Sequence, residues 1–490
     1  MPDYYEQPAY LKEIETTTVA QPPETYSPVV PSTTTTTTTT EVTPRRKIPV
    51  YVFIIIGVIL FLLLLFLLIP RGTTPTTPTT TGKVTLQWWG VFLDPSVVKP
   101  LIDEYQKNNA NVTIQYANKF PEGQYDTAAK QYQTELNRVL KTNDPVVIPD
   151  IFMVQNTWAG DYESVVKSST SYDYDTFKSI FYPAVVTDFT SASSKSVYGV
   201  PLWFDDLAII YNKDLLKEVA ASTPQTDWVN FQSLAKSLTK RQNGQIVQAG
   251  FGAGVGSNVT YATELFNLLM AQNGVQIVND QGQPAFGADT DSLTALQSFK
   301  DYATGGTGTW SADLKVDAAS FLERKLAMMV TTSYKYREIK TFNETYQLGI
   351  DIGVSPIPQL QGQTQPVINW ADYWGAMVPS VRPNAAAAWT FLKWMTDPDQ
   401  IRKLTKNEAD FNKQFGFMSP RIDMAQDATT DVNLKVFNDS LPFAMSWKMI
   451  KGADVKEQFI KLFDQSGTSL PSIVSTQTAI QSLMSNKGKF

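Results

Sequence analysis

The chain has 490 residues, a formal net charge of −6, no cysteine and no histidine. Without cysteine there are no disulfides, thiolate metal sites, cysteine nucleophiles or lipid-modified cysteine anchor. Without histidine, Ser-His-Asp and Cys-His catalysis are excluded, along with the commonest zinc and copper ligand, so any enzyme here would work with carboxylates, Lys, Tyr or Ser.

Residues 1–47 hold eight consecutive threonines at 33–40, several prolines and little that can be buried, the composition of a disordered tail. A transmembrane helix is expected over 48–69. Positions 50–69 are twenty residues without a charge, and at about 1.5 Å per residue such a helix crosses the roughly 30 Å hydrocarbon core. It is too long for the apolar core of a secretory signal and lacks a small-residue cleavage site. Arg45, Arg46 and Lys47 precede it while only Arg71 follows closely, so the positive-inside bias leaves the tail in the cytoplasm and everything after Pro70 outside. Residues 70–82 alternate threonine pairs with Pro75 and Pro78, an extended linker at roughly 3 Å per residue.

Residues 83–490 are too many for one ordinary core and enough for two lobes. Short apolar strands are expected at 83–88, 112–116, 151–154, 208–211 and 327–330. Amphipathic helices are expected at 97–107, 127–141 and 385–395, and the alternation implies an α/β fold. This part carries roughly 36 basic and 41 acidic side chains, no excess that would suggest nucleic acid. A small, neutral or weakly polar ligand fits better, with no cofactor and no metal.

Residues 198–214 are the most informative stretch. Gly199 and Pro201 break regular structure, Trp203, Phe204, Asp205 and Asp206 follow, and 207–211 is an apolar run ending in turn residues. Open α/β sheets put ligands in loops beyond strand ends, so this aromatic and acidic knot marks a binding crevice. Other signals are discounted. The glycine-rich 252–256 lacks the ending of a phosphate loop. The Ser-x-x-Lys pairs at 164–167 and 233–236 lack their companions. Asp173 with Asp175 and Asp289 with Asp291 do not continue into a calcium loop and read as solvated turn residues. A glycosidase needs carboxylates facing each other across roughly 5 to 10 Å, whereas neighbours such as Asp205 and Asp206 point to opposite faces of a strand. One is expected to face the cleft, the other a helix cap or hinge contact.

Several motifs recur in order. Residues 83–90 (KVTLQWWG), Pro149-Asp150-Ile151-Phe152 with Gln155, Asn156 and Trp158 beyond it, Tyr211-Asn212-Lys213-Asp214, residues 321–334 (FLERKLAMMVTTSY), the loose Pro-x-Pro segment within 353–362, and Gly416-Phe417-Met418-Ser419-Pro420-Arg421 form the set. As a set they resemble the extracellular solute-binding proteins of ABC importers, in the maltose-binding-protein-like sugar-binding branch. The resemblance implies a two-lobed periplasmic-binding-protein type II fold, with lobe 1 at about 83–206 and 371–422 and lobe 2 at about 207–370 and 423–490. Crossovers lie near Leu207 and Trp370. It further implies a monomeric binding domain that closes on a carbohydrate by hinge bending, is held to the cell membrane by the single helix, delivers to ABC permease subunits and does no chemistry.

Two departures from that pattern stand out. Glu323 or Arg324 occupies the position of a usual glycine before Lys325, and residues 370–374 (WADYW) replace a usual Gly-Gly, making the floor of the crevice bulkier. Sugar rings present apolar C–H faces and hydroxyl rims, so flat aromatics with carboxylates or amides at their edges suit them. By position in the pattern, Trp89, Trp158, Trp203, Tyr334, Trp370, Tyr373 and Trp447 are candidate platforms, and Asn156, Asp205, Asp206, Asn258 and Asp372 candidate hydroxyl partners. Against this, a single tryptophan is more often a core filler than a ligand contact. An extracellular glycan-processing enzyme using buried carboxylates, or a sensor or adhesin on the same fold, are the alternatives.

Overall fold

The structure, a computed structural model, describes residues 82–120, 125–362, 367–425, 427 and 431–485. The expected tail, transmembrane helix and nearly all of the linker lie outside the described residues, among which no helix is long and apolar enough to cross a membrane.

Two five-stranded sheets organise the chain as a bilobed α/β fold. The first orders its strands Val112–Asn118, Val84–Gly90, Ile151–Gln155, Trp374–Met377 and Gly199–Pro201. Its first three strands run parallel, with Val84 opposite Val112 and Trp88 opposite Ile151, while Trp374–Met377 is antiparallel to both of its neighbours. The second orders Ile352–Ser355, Leu207–Asn212, Leu326–Thr332, Gln245–Phe251 and Lys240–Gln242, with Leu207–Asn212 antiparallel to the strands on both sides. Ile151–Gln155, Leu207–Asn212 and Leu326–Thr332 are buried at every position. Such continuous apolar runs belong to strands covered by helices on both faces. The strands and helices lie within a few residues of the expected positions; the helices run Pro95–Asn108, Tyr125–Thr142 and Ala385–Met395.

Carboxylates set several helix starts. Asp94 accepts from the Ser96 amide at 2.8 Å, with Pro95 in the first turn, which satisfies an orphan N–H and uses the fixed φ of proline. Asp173 and Asp289, expected as solvated turn residues, are N-caps as well, accepting from the Thr176 and Asp291 amides at 2.9 Å. The glycine-rich loop at 252–256 is a turn whose Gly256 amide donates to Asp464 at 3.0 Å, and Gly254 adopts φ +90°. That carboxylate occupies a donor a phosphate would need. Arg324, in place of the usual glycine, has φ 59°, the left-handed region where a Cβ is disfavoured. Its guanidinium donates to the Leu348 and Gly349 carbonyls at 2.8 and 2.7 Å, which ties the strained residue to the neighbouring turn.

Among the described residues the chain passes between the sheets at three places. It leaves the first sheet at Pro201 and enters the second at Leu207; it returns from the short strand Asn369–Trp370 to Trp374. A third segment around Met418 lies beside the first passage, where the Phe204 amide donates to the Met418 carbonyl at 3.0 Å. It leads to the helix Val432–Ser440, which packs on the second sheet. Asp206 pairs across to Ala371 in a lone bridge, so the three passages are laced together.

Candidate ligand crevice

A crevice opens where these passages meet the ends of the strands. Trp203 and Asp205 come from the first passage, Asp372, Tyr373 and Trp374 from the second and Phe417 from the third; Phe92 follows the first strand, and Tyr261, Thr332 and Tyr334 complete the lining from the second lobe. Strand-to-loop transitions are where open α/β sheets expose side chains without disturbing the ladder.

Asp205 is buried, and both of its oxygens are engaged. Oδ1 accepts from the Asp206 and Ser333 amides at 2.9 Å, and Oδ2 from the Ser333 hydroxyl at 2.9 Å and the Tyr334 amide at 3.0 Å. Together with Thr332, whose hydroxyl accepts from the Lys335 amide, it satisfies the first N–H groups of the helix Ser333–Thr345. Burial nevertheless raises its pKa to about 7, opposed by the Tyr334 and Ser333 donors. Asp205 therefore faces the crevice and is also the helix cap, so it positions Tyr334 more than it offers acceptors to a ligand. Asp206 turns away: Oδ2 accepts from Asn369 at 2.8 Å and from the Ser440 hydroxyl, a brace between the first passage, the second and the helix Val432–Ser440. Burial pushes its pKa well up.

Asp372 accepts from the Gln155 amide at 2.7 Å. Tyr373 donates its hydroxyl to buried Asp188 at 2.8 Å, and Asn156 and Ser446 donate to the same oxygen at 3.1 and 2.8 Å. Burial raises Asp188 to about 6, and these donors lower it. The Tyr261 and Thr332 hydroxyls are 2.9 Å apart. With no histidine, with both oxygens of Asp205 engaged and one oxygen each of Asp188 and Asp206 held by several donors, the arrangement favours stacking and hydrogen bonding over bond cleavage. Among the described residues no cluster of three or more acidic side chains could hold a metal.

Of the twelve sequence candidates, Trp203, Asp205, Tyr334, Asp372 and Tyr373 line the crevice. The other seven do not, and each has a structural engagement. Trp89 lies under the Lys119 ammonium, 4.4 Å from its ring centre, and Trp158 packs edge-on against Trp374 at 5.0 Å. Asn156 holds Asp188, as above, and Asp206 braces the passages. Asn258 donates to the Ser311 and Leu314 carbonyls at 2.9 Å and accepts from Trp310 at 2.8 Å, which fixes a loop within the second lobe. Trp370 is a buried part of the short strand paired with Ala444–Met445, and Trp447 donates to buried Asn267 at 3.0 Å.

Phe92, Tyr261, Thr332, Trp374 and Phe417 were not singled out by sequence. Trp374 and Phe417 sit inside motifs that were recognised; Phe92 follows the first strand, where the loop rule points. The rings are already packed together. Phe92 lies 4.8 Å from Tyr334, 5.4 Å from Trp374 and 6.4 Å from Trp203. Trp203 and Tyr334 each stack on Phe417, at 4.6 and 6.0 Å. The open volume left is ≈ 20 Å³, room for about one water. Phe92 also has φ 61°, a conformation that costs a bulky residue roughly 1–3 kcal/mol and persists where the surroundings impose it.

Residues 90–401 match the family of bacterial extracellular solute-binding proteins. Among curated proteins, a binding protein of Brucella abortus is 22% identical over 267 residues, covering 53% of this chain and 61% of that one. The maltotriose-binding protein of Pyrococcus abyssi is 22% identical over 270 residues, 52% of each. The matched part thus spans between half and about three fifths of these relatives. Among solved structures, the ABC substrate-binding protein from Listeria monocytogenes in complex with cycloalternan superposes with a TM-score of 0.62 at 18% identity, covering 83% of this chain and 100% of that chain. The cyclic α-maltosyl-1,6-maltose binding protein from Arthrobacter globiformis gives 0.65 at 16% identity, with 83% and 100% covered. The family is one of binding proteins rather than enzymes, and with its match over well over half of the sequence the chain belongs to the bacterial extracellular solute-binding proteins.

Proposed function

We propose that the chain is a membrane-anchored extracytoplasmic solute-binding protein that captures a sugar or oligosaccharide and delivers it to an ABC importer. The observation that carries this reading is the crevice, where aromatic rings from both lobes converge with Asp372 and the Tyr261 and Thr332 hydroxyls at their edges. Apolar sugar faces stack on such rings while hydroxyl rims find acceptors and donors. The names of the relatives, which bind maltotriose, cycloalternan and a cyclic maltosyl-maltose, support the same ligand class.

The ligand-contacting residues in this reading are Trp203, Tyr334, Asp372 and Tyr373, with Asp205 holding Tyr334 in place. The lobes are 83–206 with 371–422 and 207–370 with 423–490, arranged as a type II binding fold and closing about the three passages. The apolar stretch at 50–69 serves as the anchor, with residues 1–47 cytoplasmic. A ligand that binds only the folded chain raises its melting temperature. Thermal unfolding of the full-length chain against carbohydrates, amino acids, polyamines and metal ions therefore tests the proposal: a shift by carbohydrates supports it, and shifts confined to the other classes contradict it.

A further inference from the structure

We propose that Asp161 of the first lobe, outside the crevice, sets ligand affinity as a closure latch: its carboxylate caps the second-lobe helix Gly452–Asp464 only while the lobes are together. The inference rests on the lobe division and hinge closure proposed above, and its geometry needs no particular ligand.

The start of that helix has no cap of its own. Ser, Thr, Asn or Asp normally stands there and accepts from the first free N–H groups, whereas here the position is Lys451, at φ 57° and with no side-chain acceptor. The acceptor comes instead from the short helix Ala159–Tyr162, where buried Asp161 accepts from the Lys451 amide and faces the Gly452 amide. Both backbones are bare where they meet. A Cβ at Gly160 would collide with the Met449 carbonyl, and one at Gly452 with the Thr157 carbonyl. The helix itself is fixed in the second lobe: Phe459 and Phe463 pack on Phe266 at 5.7 and 5.2 Å, and Asp464 holds the Gly256 amide. The segment leading to it starts at the pivot, where Met445 pairs with Trp370 and accepts from the Ala371 amide at 2.9 Å. Trp447 keeps it on the second lobe through Asn267, while Ser446 and Lys448 reach Asp188 and the Thr190 carbonyl of the first. At about 3.3 Å per residue, Lys451 lies up to roughly 20 Å along from Met445, so a hinge rotation displaces it most. The Arg337–Glu408 pair also joins the lobes, but it sits beside the third passage, with Arg337 on the Phe415 carbonyl. Opening therefore strips the helix start of its acceptor, and closing restores it.

The test uses the full-length chain, which has no native cysteine, with spin labels on Val146→Cys in the first lobe and Val229→Cys in the second, both exposed. Without ligand, Asp161→Leu and Gly452→Ala should each populate a second interlobe distance that is minor in the labelled parent. Asp161→Asn, which keeps an acceptor oxygen, should restore the parent distribution. Gly452→Ala adds one methyl group that only the closed arrangement excludes, so it tests the latch even where Asp161→Leu fails to fold. With maltotriose, the dissociation rate should rise about two- to thirtyfold in both variants, the range that loss of a helix cap implies, with the association rate little changed. Parent-like distances in both variants overturn the latch; if maltotriose still binds, the carbohydrate reading is unaffected. If no carbohydrate binds any of the proteins while the distances shift, that reading fails and the latch stands.

Discussion

Arg337 and Glu408 form an ion pair at 2.8 Å with side chains only 6% and 4% exposed. The pair joins the helix Ser333–Thr345 to the helix Pro398–Asn412. The same guanidinium donates to the Phe415 carbonyl at 3.0 Å and lies 4.7 Å from the Phe417 ring and 5.2 Å from the Tyr334 ring. It therefore backs two of the crevice aromatics while linking the segments that carry them.

Removing one partner of a buried pair leaves an uncompensated charge and costs about 3–5 kcal/mol, whereas replacing both by apolar groups of similar volume is often neutral. Glu408→Leu should be destabilising by that amount in urea unfolding. The double variant Glu408→Leu with Arg337→Met should recover most of the loss. Additive losses would mean that the two charges do not depend on each other.

In the proposed reading the aromatic candidates divide into two groups with opposite phenotypes. Trp203→Ala and Tyr334→Ala remove crevice rings, each worth about 0.5–1.5 kcal/mol of stacking, and should weaken ligand binding roughly two- to tenfold or more. Trp447→Phe leaves the buried Asn267 oxygen without its donor. It should cost about 1–3 kcal/mol of stability with ligand affinity unchanged. Calorimetric titration beside thermal unfolding separates the two effects; an affinity loss in Trp447→Phe would return that residue to the site.

Asp205→Asn keeps the size of the side chain but exchanges one acceptor oxygen for a donor, facing the Ser333 and Tyr334 amides. Loss of a cap of this kind costs about 0.5–2 kcal/mol. Because the helix start carries Tyr334, affinity should fall together with stability. A variant with unchanged stability would show that the cap is dispensable.

Stability should fall as pH rises from about 5 to 8. Burial raises Asp205 and Asp161 to about 7 and Asp188 to about 6. Asp161 accepts from the Lys451 amide at the start of the helix Gly452–Asp464. In the unfolded chain these carboxyls titrate near 4, so between about pH 4 and 7 the folded chain keeps protons that the unfolded chain has released. Their contribution is fully present below about pH 4 and lost as pH passes 6 to 7. Exposed carboxylates such as Asp227 and Asp423 are shifted downward by their partners and act in the opposite sense, but only at more acidic pH. Melting temperatures measured across pH 5–8 should decline; a rise across that interval would contradict the assignment.

The architecture was legible because the buried strands are continuous apolar runs and their connections amphipathic, and the aromatic and acidic knot after Pro201 does mark a passage between sheets. The crevice was legible where a motif and a strand end coincide, at Trp203, Asp205, Tyr334, Asp372 and Tyr373. Tryptophans 89, 158, 370 and 447 were not separable from these by sequence, since a large ring suits a core as well as a ligand. Asn258 looks like a hydroxyl partner in sequence, yet its amide is consumed by a loop of its own lobe. Phe92 carried no periodic signal; it reaches the crevice from the turn that follows the first strand.

The most direct test is calorimetric titration of the full-length chain with maltotriose and cyclic glucans, repeated on the Trp203→Ala, Tyr334→Ala double variant. The account predicts saturable, one-to-one binding of at least one of these sugars that is lost or strongly weakened in the double variant while the variant stays folded. Absence of carbohydrate binding by the wild type, or equal binding by the double variant, would contradict it.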